Sequence, residues 1–247
     1  GNYKYVKFDV NDPKVAPDGF LVRTNHSFSG DPQTGYGYCR YNTANAVIKD
    51  AIAGKKITPQ FIVSNISRNL THSLTKTDLN ANIPSEKSTQ DFRFFTDYIP
   101  RSLSSASIMI VGSPDEKHAG KTVMWTIMGF PLTSVAVPVW ITGTHSLPEV
   151  LSMKDDLHSP LCDAAMKLKE ECFPLKRGNG KNYINLSAVI NKQNTGYMQM
   201  LKPVEEEIFT RADKLISDLS KEKKSEQDIT AFYEWLDKHL KEITANQ

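Results

Sequence analysis

Apolar residues fill nearly every position of three stretches: Ser107 to Gly112, Lys121 to Gly129 and Ser134 to Thr142. Their centres read Met109-Ile110-Val111, Val123-Met124-Trp125 and Val135-Ala136-Val137-Pro138-Val139-Trp140. Turn residues separate them, Ser113-Pro114-Asp115 with Ala119-Gly120 and then Phe130-Pro131-Leu132, so the pattern predicts a three-strand meander. Apolarity on both sides of a strand predicts a sheet covered on both faces. Pro138 has no N–H to give a ladder, so its strand is expected at an edge or a bulge.

Helical spacing dominates elsewhere. Beyond Arg40, the residues Ala44, Val47, Ile48, Ala51 and Ile52 share a face, and Gly54 offers a stop. Thr58-Pro59 opens a second helix as cap and first turn, with Phe61, Ile62, Ile66 and Leu70 as its stripe. Pro160 to Cys172 forms another, ended by Phe173-Pro174 and followed by a glycine-containing loop from Lys176 to Lys181. Two amphipathic stripes close the chain. Val204, Ile208, Ala212, Leu215, Ile216 and Leu219 make one; Ile229, Phe232, Tyr233, Leu236, Leu240 and Ile243, behind a Ser225-to-Asp228 cap, make the other.

The amino-terminal region alternates. Tyr3 to Asp9 suits a strand, turns follow at Asn11-Asp12-Pro13 and Ala16-Pro17-Asp18-Gly19, and Gly19 to Thr24 is expected as a second strand antiparallel to the first. Residues 71 to 104 are polar and weakly periodic, long enough to be a functional loop or lid. With no internal repeat or low-complexity linker, one domain over 1–247 is expected, strands and a site-like loop in 1–142 and mostly helix in 143–247.

Composition narrows the function. Thirty basic and 28 acidic residues give a formal net charge of +2, too little for a phosphate-binding surface, so nucleic acid is not an expected partner. The basic run Lys221 to Lys224 is interrupted by Glu222 and reads as a solvated helix junction. No apolar run reaches bilayer-spanning length. Gly1 stands directly before a strand-like sequence, which suggests a cut end with the native start upstream. Cys162 and Cys172 share one helical segment and lie about 15 Å apart along it, too far for a disulfide. Neither the three cysteines nor the six histidines follow metal-ligand spacing, so no metal and no cofactor are expected.

Candidate chemistry gathers where Leu21-Val22-Arg23-Thr24-Asn25-His26 runs into a glycine-rich loop that closes on Tyr38-Cys39-Arg40-Tyr41. Rigid elements that deliver Asn, His and Arg into a loop are common places for binding and catalysis. Ser29-Gly30, Gly35 and Gly37 let the loop fold back, so the Asn25 amide and the Arg40 guanidinium are expected to converge on one cleft at the end of the sheet.

The Thr24-Asn25-His26 segment resembles that of the cysteine N-terminal-nucleophile hydrolases, in the penicillin acyltransferase (peptidase C45) and choloylglycine hydrolase-like branches. Tyr38-Cys39-Arg40-Tyr41 looks like the arginine motif of those families. Thr122 to Trp125, Gly129-Phe130-Pro131 and Ser134 to Pro138 resemble their tryptophan–glycine–proline hairpin, in the same order along the chain. The likeness covers residues 3 to about 142. It implies an α+β fold of the αββα type, two antiparallel sheets flanked by helices, here incomplete at the amino terminus. It also implies hydrolysis of a linear amide bond, or acyl transfer, by an amino-terminal cysteine outside this chain. Asn25 would supply the oxyanion donor, Arg40 would stand beside the nucleophile, and His26 and Trp125 would contact a small-molecule amide substrate. The implied partner is an amino-terminal chain of the same precursor, and relatives of this kind are often exported. Cys39 is not the expected nucleophile, because a helix rather than a strand follows it. The alternative is a non-catalytic small-molecule-binding protein on the same scaffold, its apolar pocket built from the aromatic segment Phe92 to Tyr98 with Trp125 and Trp140.

Overall fold

The structure is a computed structural model, and it describes residues 9, 11–25, 35–113, 119, 122–141, 146–153, 158–222 and 225–245. The expected strand Tyr3 to Asp9 therefore lies outside them apart from Asp9, and His26 lies outside them entirely. The fold is α+β, with small antiparallel sheets packed among helices. The described residues carry two two-stranded sheets and one three-stranded sheet.

The three-stranded sheet is the expected meander: β4 (Ala106–Val111), β5 (Val123–Met128) and β6 (Ala136–Trp140), paired antiparallel in the order β4-β5-β6. Pro138 sits opposite Trp125 in β6, which is an edge strand as its missing N–H requires. Amides two residues apart point the same way along a strand, so Ala136, Pro138 and Trp140 share the outward row of β6. Helix side chains meet that row. The Ala136 N–H donates to Glu205 Oε1 at 2.6 Å and the Trp140 N–H donates to the Tyr233 hydroxyl at 3.0 Å. Between them Pro138 has nothing to donate.

The opposite edge is different. The Gly129 N–H donates to the Ser105 carbonyl, which sets the ladder phase and turns the backbone groups of Ala106, Ile108 and Ile110 outward. Among the described residues no strand pairs with that side. Ile108 is 61% and Ile110 66% exposed. Among the described residues two-sided burial thus holds for β5 and β6 and fails for β4.

Helices pack on the inner face of the sheet. Helix α5 (Tyr197–Ser220) lays Phe209 on Trp125 with ring centroids 4.3 Å apart, and α6 (Glu226–Ala245) brings Phe232 and Tyr233 to Trp140. Ile208, Ala212, Leu236 and Leu240 complete this core, each with no measurable exposure. At the start of α6 the Ser225 N–H and hydroxyl both donate to Asp228 Oδ2, and the Asp228 N–H donates to the Ser225 carbonyl. Helix α5 begins seven residues earlier than its apolar stripe predicts and runs straight through Pro203. Its start is held by Gln199, whose Oε1 accepts from the Asn191 and Gly196 N–H groups.

A second core gathers Leu70, Leu79, Phe95, Tyr98, Phe130, Phe173, Ile184 and Leu186. It organises the segment expected as a loop. Strands β1 (Thr71–His72) and β2 (Thr77–Asp78) form a hairpin, and β3 (Phe92–Phe94) pairs antiparallel with β7 (Tyr183–Asn185), which leads into the short helix α4 (Leu186–Val189). Single apolar residues spaced widely along 71–104 hold it down, a pattern with no period to read. Helix α3 (Pro160–Cys172), capped by the Ser159 hydroxyl, packs against α6 and the turn before β6.

The segment Gly19 to Thr24 is not a strand, a correction to the expectation. Residues 12–19 form consecutive turns, with the Ala16 N–H on the Asp12 carbonyl and the Gly19 N–H on the Ala16 carbonyl. Residues 20–24 follow without regular structure. An extended segment becomes a strand only where a ladder partner accepts it, and none of the described strands pairs here.

A buried ion pair joins the parts. Helix α2 (Pro59–Ile62) continues as a wider π turn through Val63–Ser67, and Arg68 follows directly. Both terminal nitrogens of Arg68 meet the Glu205 carboxylate, at 2.5 and 2.6 Å, while Nε donates to the Pro131 carbonyl and Nη2 also to the Ser134 carbonyl. Their side chains are 10% and 6% exposed.

Candidate functional site

Gly37 makes the site possible. Its φ of +81° caps α1 (Tyr38–Ala53) in a left-handed turn, and a Cβ there would lie 2.7 Å from Arg40 Nη2 and 3.1 Å from Thr24 Oγ1. The Thr24 hydroxyl donates to the Gly37 carbonyl at 3.0 Å, which pins residues 24 and 25 against the first turn of the helix.

Arg40, in that first turn, reaches across the gap so formed. Its Nη2 donates to Asn25 Oδ1 at 2.9 Å and its Nε to Asp97 Oδ1 at 2.9 Å. A cation at the positive end of a helix is unfavourable by itself. Asp97 supplies the balancing charge from 57 residues away, with its own backbone in the left-handed region at φ 64°. Aspartate is among the few residues that tolerate this conformation. The Arg40 side chain is 12% exposed and Asp97 26%, so the pair is partly withdrawn from water.

A guanidinium only donates, so the contact with Arg40 fixes the Asn25 carboxamide oxygen inward. The Asn25 NH₂ group has no acceptor among the described residues, and Asn25 is exposed. The outcome is an oriented, open amide donor beside a held guanidinium.

Arg101 belongs to the same group. Its N–H donates to the Ser104 hydroxyl and its carbonyl accepts from the Ser104 N–H, forming the turn that leads into β4. Its Nε is buried with no hydrogen-bond partner among the described residues. Burial first, and then the neighbouring Arg40 charge, hold its guanidinium below the usual arginine range, with Asp97 acting in the opposite direction.

The thiols here are not activated. Burial pushes Cys39 up, and a hydrogen bond and charge from Asp97 push it further, against weaker opposing bonds from Leu74 and Ser73. Burial raises Cys162, and burial pushes Cys172 up to about 12. All three cysteines are free. Nucleophilic thiols need the reverse shift.

The structure thus brings Asn25 and Arg40 into direct contact, at the amino end of a helix rather than the end of a sheet. His26 falls outside the described residues. Trp125 is 1% exposed and stacked on Phe209, so it packs core and does not line the Asn25–Arg40 contact. The aromatic residues named for an apolar pocket divide between two cores, Phe95 and Tyr98 in one, Trp125 and Trp140 in the other. Asp97 and Arg101 are the members that the sequence did not single out. Among the described residues no cluster of histidine, cysteine or carboxylate side chains could hold a metal ion, and no helix is long and apolar enough to cross a membrane. Comparison with family models, curated proteins and solved structures finds no match for this chain.

Proposed function

We propose that the chain is the carboxy-terminal portion of a cysteine N-terminal-nucleophile hydrolase that cleaves, or transfers the acyl group of, a linear amide. In this reading the αββα sandwich is completed by an amino-terminal chain of the same precursor. One observation carries it: Arg40 turns the Asn25 carboxamide so that its NH₂ group is left as an open donor. That is the geometry an oxyanion donor requires, set before substrate arrives.

The chemistry then runs as follows. The precursor's terminal cysteine attacks the substrate carbonyl, its own α-amino group taking the thiol proton, since an α-amine has a reference pKa of about 7.7–8.0. The carbonyl oxygen gains negative charge and accepts from Asn25 Nδ2. Arg40, held by Asp97, adds a fixed positive charge beside it and keeps Asn25 in position. Collapse of the tetrahedral intermediate expels the amine with a proton, and water or a second amine releases the acyl group from sulfur. The nucleophile is sought outside this chain because burial raises the pKa of all three of its own thiols. The same raised thiols favour the second reading, a non-catalytic small-molecule-binding protein on this scaffold.

The test is turnover by the protein assembled with its amino-terminal chain. Asn25→Ala is expected to lower kcat on the order of a hundredfold or more with little change in KM. Wild-type turnover in that variant, or an upstream chain without a terminal cysteine, sinks the hydrolase reading.

A further inference from the structure

Between α2 with its π turn and the start of α5 lies a cleft of about 360 Å³ that shares no residue with the Asn25–Arg40 group. Ile83, Ile190 and Met198 give it apolar walls, and both Arg68 and Glu205 line it. The helices on its two sides are irregular. The π turn Val63–Ser67 puts Ser64 on one wall, and such turns recur at functional sites. Opposite, Pro203 withdraws the N–H that the Gln199 carbonyl would accept in a regular helix, and Gln199 also lines the cleft. The lining charges are matched in pairs: Arg68 holds Glu205, and Lys202 stands 3.7 Å from Glu206. A guanidinium carries five N–H groups, and Arg68 uses four of them on Glu205, Pro131 and Ser134. The fifth, on Nη1, meets no acceptor among the described residues, and Glu205 Oε2 accepts only from Arg68 there.

We propose that this cleft binds a neutral, flat heterocycle with an N–H beside a carbonyl, the edge that lactams and nucleobases share. An ionic ligand would find every lining charge already paired and would lose its hydration without gaining a counter-ion. A wholly apolar ligand would bury the spare Nη1 donor and the spare Oε2 acceptor unmet, each unfavourable by about 1–3 kcal/mol. A lactam edge serves both at once, because Nη1 and Oε2 are 2.5 Å apart and one rigid edge can accept from the first and donate to the second. The ring itself is accommodated by Met198 and Ile190, since a thioether chain adapts to a flat apolar surface. The inference stands apart from the amide-hydrolase reading: no cysteine is among the residues lining the cleft, and the ring is held rather than cleaved.

Calorimetry on the whole chain compares carbostyril, a benzo-fused lactam, with N-methylcarbostyril, which keeps the ring and carbonyl but lacks the N–H. Saturable binding of carbostyril is expected, with the N-methyl compound weaker by about tenfold or more. Quinaldic acid, of similar shape but ionised, should also bind more weakly than carbostyril. Glu205→Gln must keep an oxygen on the Ala136 N–H, so it sets an amide NH₂ where Oε2 stood, and the preference for carbostyril over its N-methyl derivative should disappear. Ser64→Trp is the second variant, because Ser64 is exposed and lies outside the ion pair. Its indole should fill the cleft and abolish binding with helical content unchanged, which decides the matter even where Glu205→Gln fails to fold. Equal affinity for the two lactams, binding undiminished in folded Ser64→Trp, or no saturable binding up to millimolar carbostyril overturns the proposal. None of these outcomes bears on amide turnover, so the two readings fail separately.

Discussion

Asp97 is the residue on which the site turns. It holds Arg40 by an ion pair, helps to push the Cys39 thiol up, and keeps a left-handed backbone while doing both. Asparagine tolerates that backbone equally well, so Asp97→Asn separates charge from conformation. The variant is expected to free Arg40 from its ion pair and lower the Cys39 pKa toward the ordinary thiol range, because the Asp97 carboxylate now pushes it up. At a fixed mildly alkaline pH, Cys39 should then be alkylated faster than in the parent protein, as followed by mass spectrometry. An unchanged pH profile would show that Asp97 does not set the thiol. At this scale the sequence disclosed Asn25 and Arg40, since both stand in a local pattern of strand-like residues, glycines and polar side chains. It did not disclose Asp97 or Arg101. They lie in a segment with no period, and their meeting with Arg40 depends on folding across 57 residues of chain in the case of Asp97.

Among the elements, the meander was legible because uninterrupted apolar runs between turn residues leave few alternatives. Pro138 even gave the position of its strand. Gly19 to Thr24 misled for the opposite reason: a strand-like composition cannot reveal whether a partner exists. The early start of α5 was hidden by Pro203, which ordinarily marks a first turn, whereas here Gln199 secures a start further back. Strand β4 invites a test of its own. Residues 102–113 contain no charged side chain and no proline, the usual protections of an open edge. Replacing Ile108 or Ile110 with lysine is expected to reduce concentration-dependent association of this chain, measured by light scattering, while leaving its helical content unaltered. Association equal to that of the parent would show that the exposed edge is not the sticky surface.

At the level of the whole molecule, the Arg68–Glu205 pair connects the end of the π turn, helix α5 and the approach to β6. Arg68→Ala removes one partner and leaves a buried carboxylate uncompensated, with an expected loss of about 3–5 kcal/mol in unfolding free energy. Urea unfolding measures it. Glu205→Gln should cost less, because an amide oxygen can still accept from the Ala136 N–H; a loss under about 1 kcal/mol for Arg68→Ala would show that the pair is dispensable.

The two edges of the three-stranded sheet give it a direction. On the β6 side a carboxylate, an imino acid and a phenol occupy the places where the amides of another strand would be read. The helices that carry Glu205 and Tyr233 act there as a terminator, and lengthening the sheet past β6 would mean dismantling the principal core. Past β4 no described strand or helix stands in the way in that manner. Whatever this sheet gains, whether a strand recruited in evolution or a segment contributed by another polypeptide, it gains on one flank only, and that flank begins five residues from Arg101.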